Sequence, residues 1–582
     1  MFTWIQEKLE SIRKPSFVAK ERNFERELSA ENEAYQGISR VRAVKGHSRN
    51  SLLAAEYGVF GQALERYGTS VVGALLTVVS VLAFIHYYQN GLGLAYNDAR
   101  SHLDIGRRVV EGLNPGAAQL GSVWLPLTHL LMSVTIWNDF MWHSGLAGAI
   151  QSMMAFVATG IVIYLFLKEI GVGLLGRFVG VTLFVANINI LYLQSTAMTE
   201  LMLIAMMTAG AYHLLRWFKT ENTLYLVYAA FFIMLASLVR YDGWFMFFFA
   251  TVLISFFIYR KYGYQQAEGL FVFFCTLAGF GVFLWLLWNA LIFKDPLFFA
   301  YGPYSAHAQQ DQLEAAGVLP SKGNWIHAFK VYMYAFAYNV GAFTMFVGFI
   351  GAAMLWLNKK IAAPIRLATL VLIAPLLFNV LALYLGHSVL YIQGLSGDTW
   401  FNVRYGVMMM PTIAIFVGYL VHTLVPLRPV VIGLLCFVTF FQFASADAVT
   451  IDDARVGSSQ KNVTEVSGWL ARNTADKPGF ILISAASHDS IIFSSGLPMK
   501  RFIHEGAGPY YDSAIINPDR WARFIVVRSH SDTDSTWRLL KDNRGFTEYY
   551  EKVDSYPFAD IYELRPEHLP SLITEPILKK RW

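Results

Sequence analysis

The chain has 582 residues, of which 55% are hydrophobic and 15% charged, and its mean hydropathy is +0.42. A soluble fold of this size could not hide so much apolar surface, so a water-soluble globular class is excluded and the bilayer is the expected solvent. The net charge of +5 gives no sign of a nucleic-acid partner, and Cys275 and Cys436, each inside an apolar run, make neither a disulfide framework nor a metal-ligand spacing.

The chain opens MFTWIQEKLESIRKPSF, which lacks the basic start, apolar run and small-residue cleavage site of a signal peptide. Phe2, Ile5, Leu9 and Ile12 recur at helical spacing, which suits an amphipathic helix on the inner membrane surface and equally a solvated helix. Arg40, Arg42, Lys45 and Arg49 precede the first apolar run and place residues 1–68 in the cytoplasm by the positive-inside rule.

With about 1.5 Å of rise per residue, about 20 apolar residues cross the roughly 30 Å hydrocarbon core. Runs at 69–89, 143–167, 173–193, 201–217, 223–239, 243–259, 269–293, 328–357, 366–386, 403–424 and 429–446 predict about eleven spanning helices. Val123–Trp137 is short for a span and suits an interfacial or re-entrant helix. Counting it as a span would place Lys168, Arg177, Arg216, Lys219, Arg260, Lys261, Lys359, Lys360, Arg366 and Arg428 outside, so it is left out. Residues 69–446 are thus expected to form the membrane domain.

From Asp447 the composition turns soluble. GFILISAA, IIFSSG and RFIVVR read as strands, and VTEVSGWLARNTA and TWRLLKDNRGF as helices, which predicts an extracytoplasmic α/β domain over 447–582. Asn462 opens an NVT glycosylation sequence there.

Chemistry concentrates at helix ends on the predicted outer side. The first outer loop, GLAYNDARSHLDIGRRVVEGLNPGAAQLGSVWLPLTHLL, holds Asp98, His102, Asp104, Arg107 and Arg108. Asp104 and Arg108 stand at i,i+4 spacing and can pair locally. Glu200 sits in QSTAMTELML, where an acid beside hydrocarbon is costly and needs a reason. LVRYDGW puts Arg240 and Asp242 at the same level, where they can neutralise each other. Later outer segments carry Lys294, Asp295, Tyr301, Tyr304 and His307, then His387, Asp398, Arg404 and Tyr405. For the tyrosines, anchoring at the membrane interface is the simpler reading.

These residues resemble the GT-C membrane glycosyltransferases, which include protein O-mannosyltransferases, lipid A aminoarabinose transferases and oligosaccharyltransferases. The likeness covers residues 69–446. It rests on Asp98 in the first outer loop, the G-x-x-WLPL-type segment Gly121–Leu127, Glu200 about a hundred residues later, and the Arg404–Tyr405 pair opening a late span. The sequence departs from the family pattern in having Asn97 before Asp98 where many members carry adjacent acids. No WWD-type segment occurs in the tail, which argues against an oligosaccharyltransferase.

The resemblance implies a mainly α, GT-C-like bundle. It also implies inverting transfer of a sugar from a polyprenyl-phosphate donor to a glycan, lipid or protein acceptor at the outer face, with a prokaryotic plasma membrane as the expected location. On that reading Asp98 is the base and Glu200 orients hydroxyls. Alternatively, Glu200 could share a divalent cation, magnesium or manganese, with Asp98. Arg404 and Arg240 would face the donor phosphate, and His102 would touch it or merely pack the loop. Tyr405, His387, Tyr304 and Asp104 are the candidates for substrate binding. A transporter is the rival reading, since polar helix ends also line substrate routes. Transporters, however, place key charges near the bilayer midplane, often in repeated halves. A receptor or scaffold would leave Asp98 and Glu200 unexplained.

Overall fold

A computed structural model describes residues 59–302, 305–456, 463–529 and 531–577. The N-terminal amphipathic stretch, Tyr304 and Asn462 lie outside the described residues. The described residues from Tyr67 onward form one compact unit.

The protein is an integral membrane protein built mainly of helices. The helices used below are α1 (Val59–Gln89), α2 (Asn97–Val110), α3 (Leu146–Glu169), α4 (Glu200–Thr220), α5 (Thr223–Ser237), α6 (Asp242–Tyr262), α7 (Trp325–Val340), α8 (Ala342–Leu357), α9 (Met410–Thr423), α10 (Val449–Val456) and α11 (Ala485–Ser494). By length and composition, 7 helices among the described residues can cross a bilayer, or up to 9 if each bent pair is one span.

The expected count of about eleven is therefore not reached on those criteria. Hydropathy marks apolar length but does not see backbone breaks. The predicted spans at 173–193 and 223–239 appear as the short apolar helices Leu174–Val185 and α5. The run at 269–293 is two helices bent by 49°, and the run at 328–357 is α7 and α8, meeting at 105°. Gly341, at φ +88°, makes that second corner.

Such a break exposes backbone groups that must be paired inside an apolar bundle. Asparagines supply the partners. The Asn339 carbonyl accepts from Asn187 Nδ2 at 2.8 Å and Asn189 Nδ2 at 3.1 Å. Asn339 Nδ2 in turn donates to the carbonyls of Ala335 at 2.8 Å and Val403 at 2.7 Å. The corner is thereby tied to the 3₁₀ turn Val403–Met409 that leads into α9.

Val123–Trp137 contains only the helix Leu127–Met132 before Asp139, about 9 Å long at the usual rise and too short to cross. Around it the bundle packs by close backbone approach. A Cβ on Gly351 of α8 would lie 2.2 Å from the Phe416 carbonyl of α9, and one on Gly176 would lie 2.5 Å from that of Gly418. The span Val403–Thr423 is the most enclosed, with 89% of its window buried, whereas Val425–Val456 has 6% and presents Phe437, Phe440 and Phe441 outward. Helices that share a bundle with others lose contact with lipid, so the site is best sought on α4 and α9.

The C-terminal region holds a five-stranded sheet in the order β2-β1-β3-β5-β4: β1 (Phe480–Ile483), β2 (Phe502–Ile503), β3 (Ala522–Val527), β4 (Tyr550–Tyr556) and β5 (Ala559–Leu564). The first three are parallel, with Ile481 opposite both Phe502 and Phe524, while β5 and β4 run antiparallel. FILI of β1 is buried throughout, as the continuous apolar run of a covered parallel strand requires. IIFSSG, expected as a strand, instead lies largely in α11. Its Ile491, Ile492 and Phe493 are buried against the bundle core, and tertiary packing overrides the β-branched preference.

Candidate active site

Arg404 is the centre of the site. The 3₁₀ turn carries it, and its side chain is 3% exposed. Three carboxylates use the guanidinium fork: Nη2 donates to Asp98 Oδ2 at 2.6 Å, Nε to Glu200 Oε1 at 3.0 Å and Nη1 to Asp453 Oδ2 at 3.5 Å. A planar cation with five donors in fixed directions suits this branching pattern; a lysine would not. The Tyr96 ring lies 4.9 Å below the guanidinium carbon, and the Tyr96 hydroxyl donates to the Thr450 carbonyl and to Asp453.

Arg240 forms the second layer. It donates to Glu200 Oε1 at 3.2 Å and to Asp242 at 3.3 Å, and stands 4.5 Å over the Tyr405 ring. Asp242 does neutralise Arg240, but as one member of a network of four carboxylates and two guanidinium groups. Glu200 Oε2 is buried and has no hydrogen-bond partner. Glu200 opens α4, Asp242 opens α6 and Asp98 lies in the first turn of α2, so helix N-termini favour each negative charge.

Exposure distinguishes the four acids. The Asp98 side chain is 35% exposed, against 0% for Glu200 and Asp453 and 3% for Asp242. A substrate hydroxyl can reach Asp98 far more readily than its companions. Of the two arginines, Arg240 at 20% offers more surface to an anion than Arg404 at 3%.

His102 Nδ1 shares a hydrogen bond with His129 Nε2 at 2.9 Å, and its ring packs at 4.3 Å on Trp124. Burial, then the charges of Arg404 and Arg240, push its pKa down to about 3, so it is neutral at ordinary pH. Tyr405 belongs to the cluster through the Arg240 contact. Asp104 faces elsewhere, accepting from Trp142 Nε1 at 3.2 Å, and Arg108 reaches Asp489 at 3.0 Å. Burial, and then the neighbouring His307 and Lys322, lower the pKa of His387.

Sequence reasoning missed Asp453 and Tyr96. Asp453 lies in a stretch whose composition reads as solvated, and only the DDA sequence directly after the last apolar run marks it. Asp98 and Glu200, the pair that could share a divalent cation, both close on Arg404, and among the described residues no group of three or more His, Cys, Asp and Glu could hold a metal ion. Met207, Met246, Met408, Thr208, Val371 and Pro411 line an apolar crevice between the helices.

No protein-family model and no curated protein matches the sequence. Among solved structures, ArnT from Cupriavidus metallidurans bound to undecaprenyl phosphate aligns with a TM-score of 0.50 at 10% identity, over 84% of this chain and 98% of that one. The oligosaccharyltransferase of Archaeoglobus fulgidus in its apo form aligns with a TM-score of 0.43 at 13% identity, over 80% and 70%. Its complex with zinc and sulfate gives 0.41 at 13%, over 78% and 67%. The chain has the GT-C membrane fold that its sequence resembles.

Proposed function

We propose that this protein transfers a sugar from a polyprenyl-phosphate-linked donor to an acceptor hydroxyl at the extracytoplasmic face, with inversion at the anomeric carbon and Asp98 as general base. The observation that carries the reading is the accessible Asp98 carboxylate, pinned by Arg404 beside the part-exposed Arg240. An acceptor hydroxyl is a weak nucleophile at neutral pH. As its oxygen bonds to the anomeric carbon, Asp98 takes its proton, and the bond to the donor phosphate breaks with its electron pair leaving on the phosphate.

The departing phosphate needs cationic stabilisation more than a proton, and Arg240 is the group with surface to give it. Arg404 then orients the base, and Glu200 and Asp453 hold Arg404. A neutral His102 contributes no charge to the phosphate, though it can offer a hydrogen bond. Tyr405 borders the donor side through Arg240.

ArnT, whose fold this chain shares, binds undecaprenyl phosphate, an analogy that raises the prior for such a donor here. We further infer that residues 69–446 are the transferase domain, that the N-terminus is cytoplasmic and residues 447–582 extracytoplasmic, and that the membrane is a prokaryotic plasma membrane. A transporter is disfavoured because Glu200, Asp242 and Arg404 each sit at the start of a helical span and not at its middle. The test is incubation of the purified protein with polyprenyl-phosphate-linked sugars and candidate acceptors. Release of polyprenyl phosphate with a glycosylated product is expected, and uptake of an unmodified solute into vesicles without such release would overturn the reading.

A further inference from the structure

Helix α2 carries Asp98 at one end and is gripped along its length by α11 of the C-terminal region. Ser490 Oγ donates to the Asn97 carbonyl at 3.5 Å, Arg100 Nη1 donates to Ser494 Oγ at 3.2 Å, and Arg108 Nη1 to Asp489 Oδ1 at 3.0 Å. Beyond the helix, Gln119 Nε2 donates to the Gly506 carbonyl at 2.6 Å. In this contact Asp104 of α2 meets Asp489 of α11 carboxyl to carboxyl. Asp104 is 0% exposed, and its Oδ1 accepts from Trp142 Nε1.

Asp104 Oδ2 has no donor facing it. Two carboxylates cannot hydrogen-bond without a proton between them, and the remaining neighbours do not supply one. Arg108 is committed to Asp489, Arg107 to Glu111 and Asp139, and His143 stacks on Trp142. Glu505 adds a further negative charge near Asp489, and His504 is held neutral by burial and by Arg108.

We propose that Asp104 keeps its proton and donates it as a hydrogen bond to Asp489, forming with Arg108 a clasp that fixes α2 and so positions Asp98 for the reaction. Asp104, Arg108 and Asp489 are positioning residues. The inference rests on the transferase reading only for its catalytic consequence; the clasp itself is a structural claim. Burial and the Asp489 charge push Asp104 well up from the ordinary carboxylate range, and burial lifts Asp489 to about 6 despite Arg108. The proton contributes stability for as long as Asp104 holds it, and that contribution is lost as pH rises through the raised Asp104 value. Asp489 must be ionised to accept that proton and to hold Arg108, so its own protonation below about 6 loosens the clasp from the acid side.

Asparagine mimics a protonated aspartate, able to donate to Asp489 and accept from Trp142. The test uses the full-length purified protein, with hydrogen exchange of residues 97–110 and transfer kinetics measured from pH 5 to 9. Asp489→Ala and Asp104→Ala should speed exchange in α2 and lower kcat about tenfold or more, with the KM for donor changed less than about threefold. Asp104→Asn should restore slow exchange and flatten the alkaline loss of rate.

Slow, wild-type exchange in both alanine variants would overturn the clasp. Fast exchange with unchanged kcat would overturn positioning. If the wild type shows no transfer at all, the transferase reading fails while the exchange data still decide the clasp. Equal damage by Asp104→Asn and Asp104→Ala would show that the proton is not what matters.

Discussion

At the scale of single residues, the site depends on one arginine holding three acids. Arg404→Ala would leave Glu200 with Arg240 as its remaining cation and would take from buried Asp453 the guanidinium that faces it. Breaking a buried pair in this way costs about 3–5 kcal/mol, so melting in detergent should shift down by many degrees. Arg404→Lys should recover part of the melting temperature but little transfer, since an ammonium cannot serve three directions; a melt of Arg404→Ala like wild type would contradict the network. Asp98, Glu200, Arg240 and Arg404 were legible in the sequence because charges beside hydrocarbon are costly and stand out there. Asp453 was not, since one acid among many in a polar tail carries no such signal. Asp104 read as half of a local i,i+4 pair, and its encounter with Asp489, 385 positions later, is a tertiary fact that helical spacing does not encode.

At the scale of elements, the turn bearing Arg404 is placed by backbone packing. A Cβ on Gly406 would come within 2.2 Å of the Ala335 carbonyl of α7, and that carbonyl already accepts from Asn339. Gly406→Ala should force the turn away from α7, at about 1–3 kcal/mol, and displace Arg404 from its acids. Reduced melting temperature together with reduced transfer is expected; unchanged values in both would show that the turn has room to relax. Apolar runs located most helices well, since length and hydropathy dominate in lipid. The corner at Gly341 escaped notice because the residues on both sides are apolar and only the Asn339 network shows that the backbone turns there. Similarly, IIFSSG reads as strand by propensity, and its helical state is decided by what it packs against.

At the scale of the molecule, the proposed site needs α2, the start of α4 and the C-terminal sheet on the same side of the membrane. Glu551 is exposed on β4. In a background with Cys275 and Cys436 replaced by serine, Glu551→Cys should react in intact cells with a thiol reagent that cannot cross the membrane. Labelling only after lysis would reverse the orientation. The shortness of Val123–Trp137 was legible in the sequence, whereas the hold of the C-terminal region on α2 was not, because it joins residues hundreds of positions apart. What unites these levels is an accessible Asp98 that accepts the acceptor's proton. The most direct measurement is single-turnover transfer of sugar from a polyprenyl-phosphate donor by Asp98→Asn, at equal protein level and equal melting temperature. Removing a general base should slow that step by about 10²–10⁴, while transfer at the wild-type rate would contradict the role of Asp98.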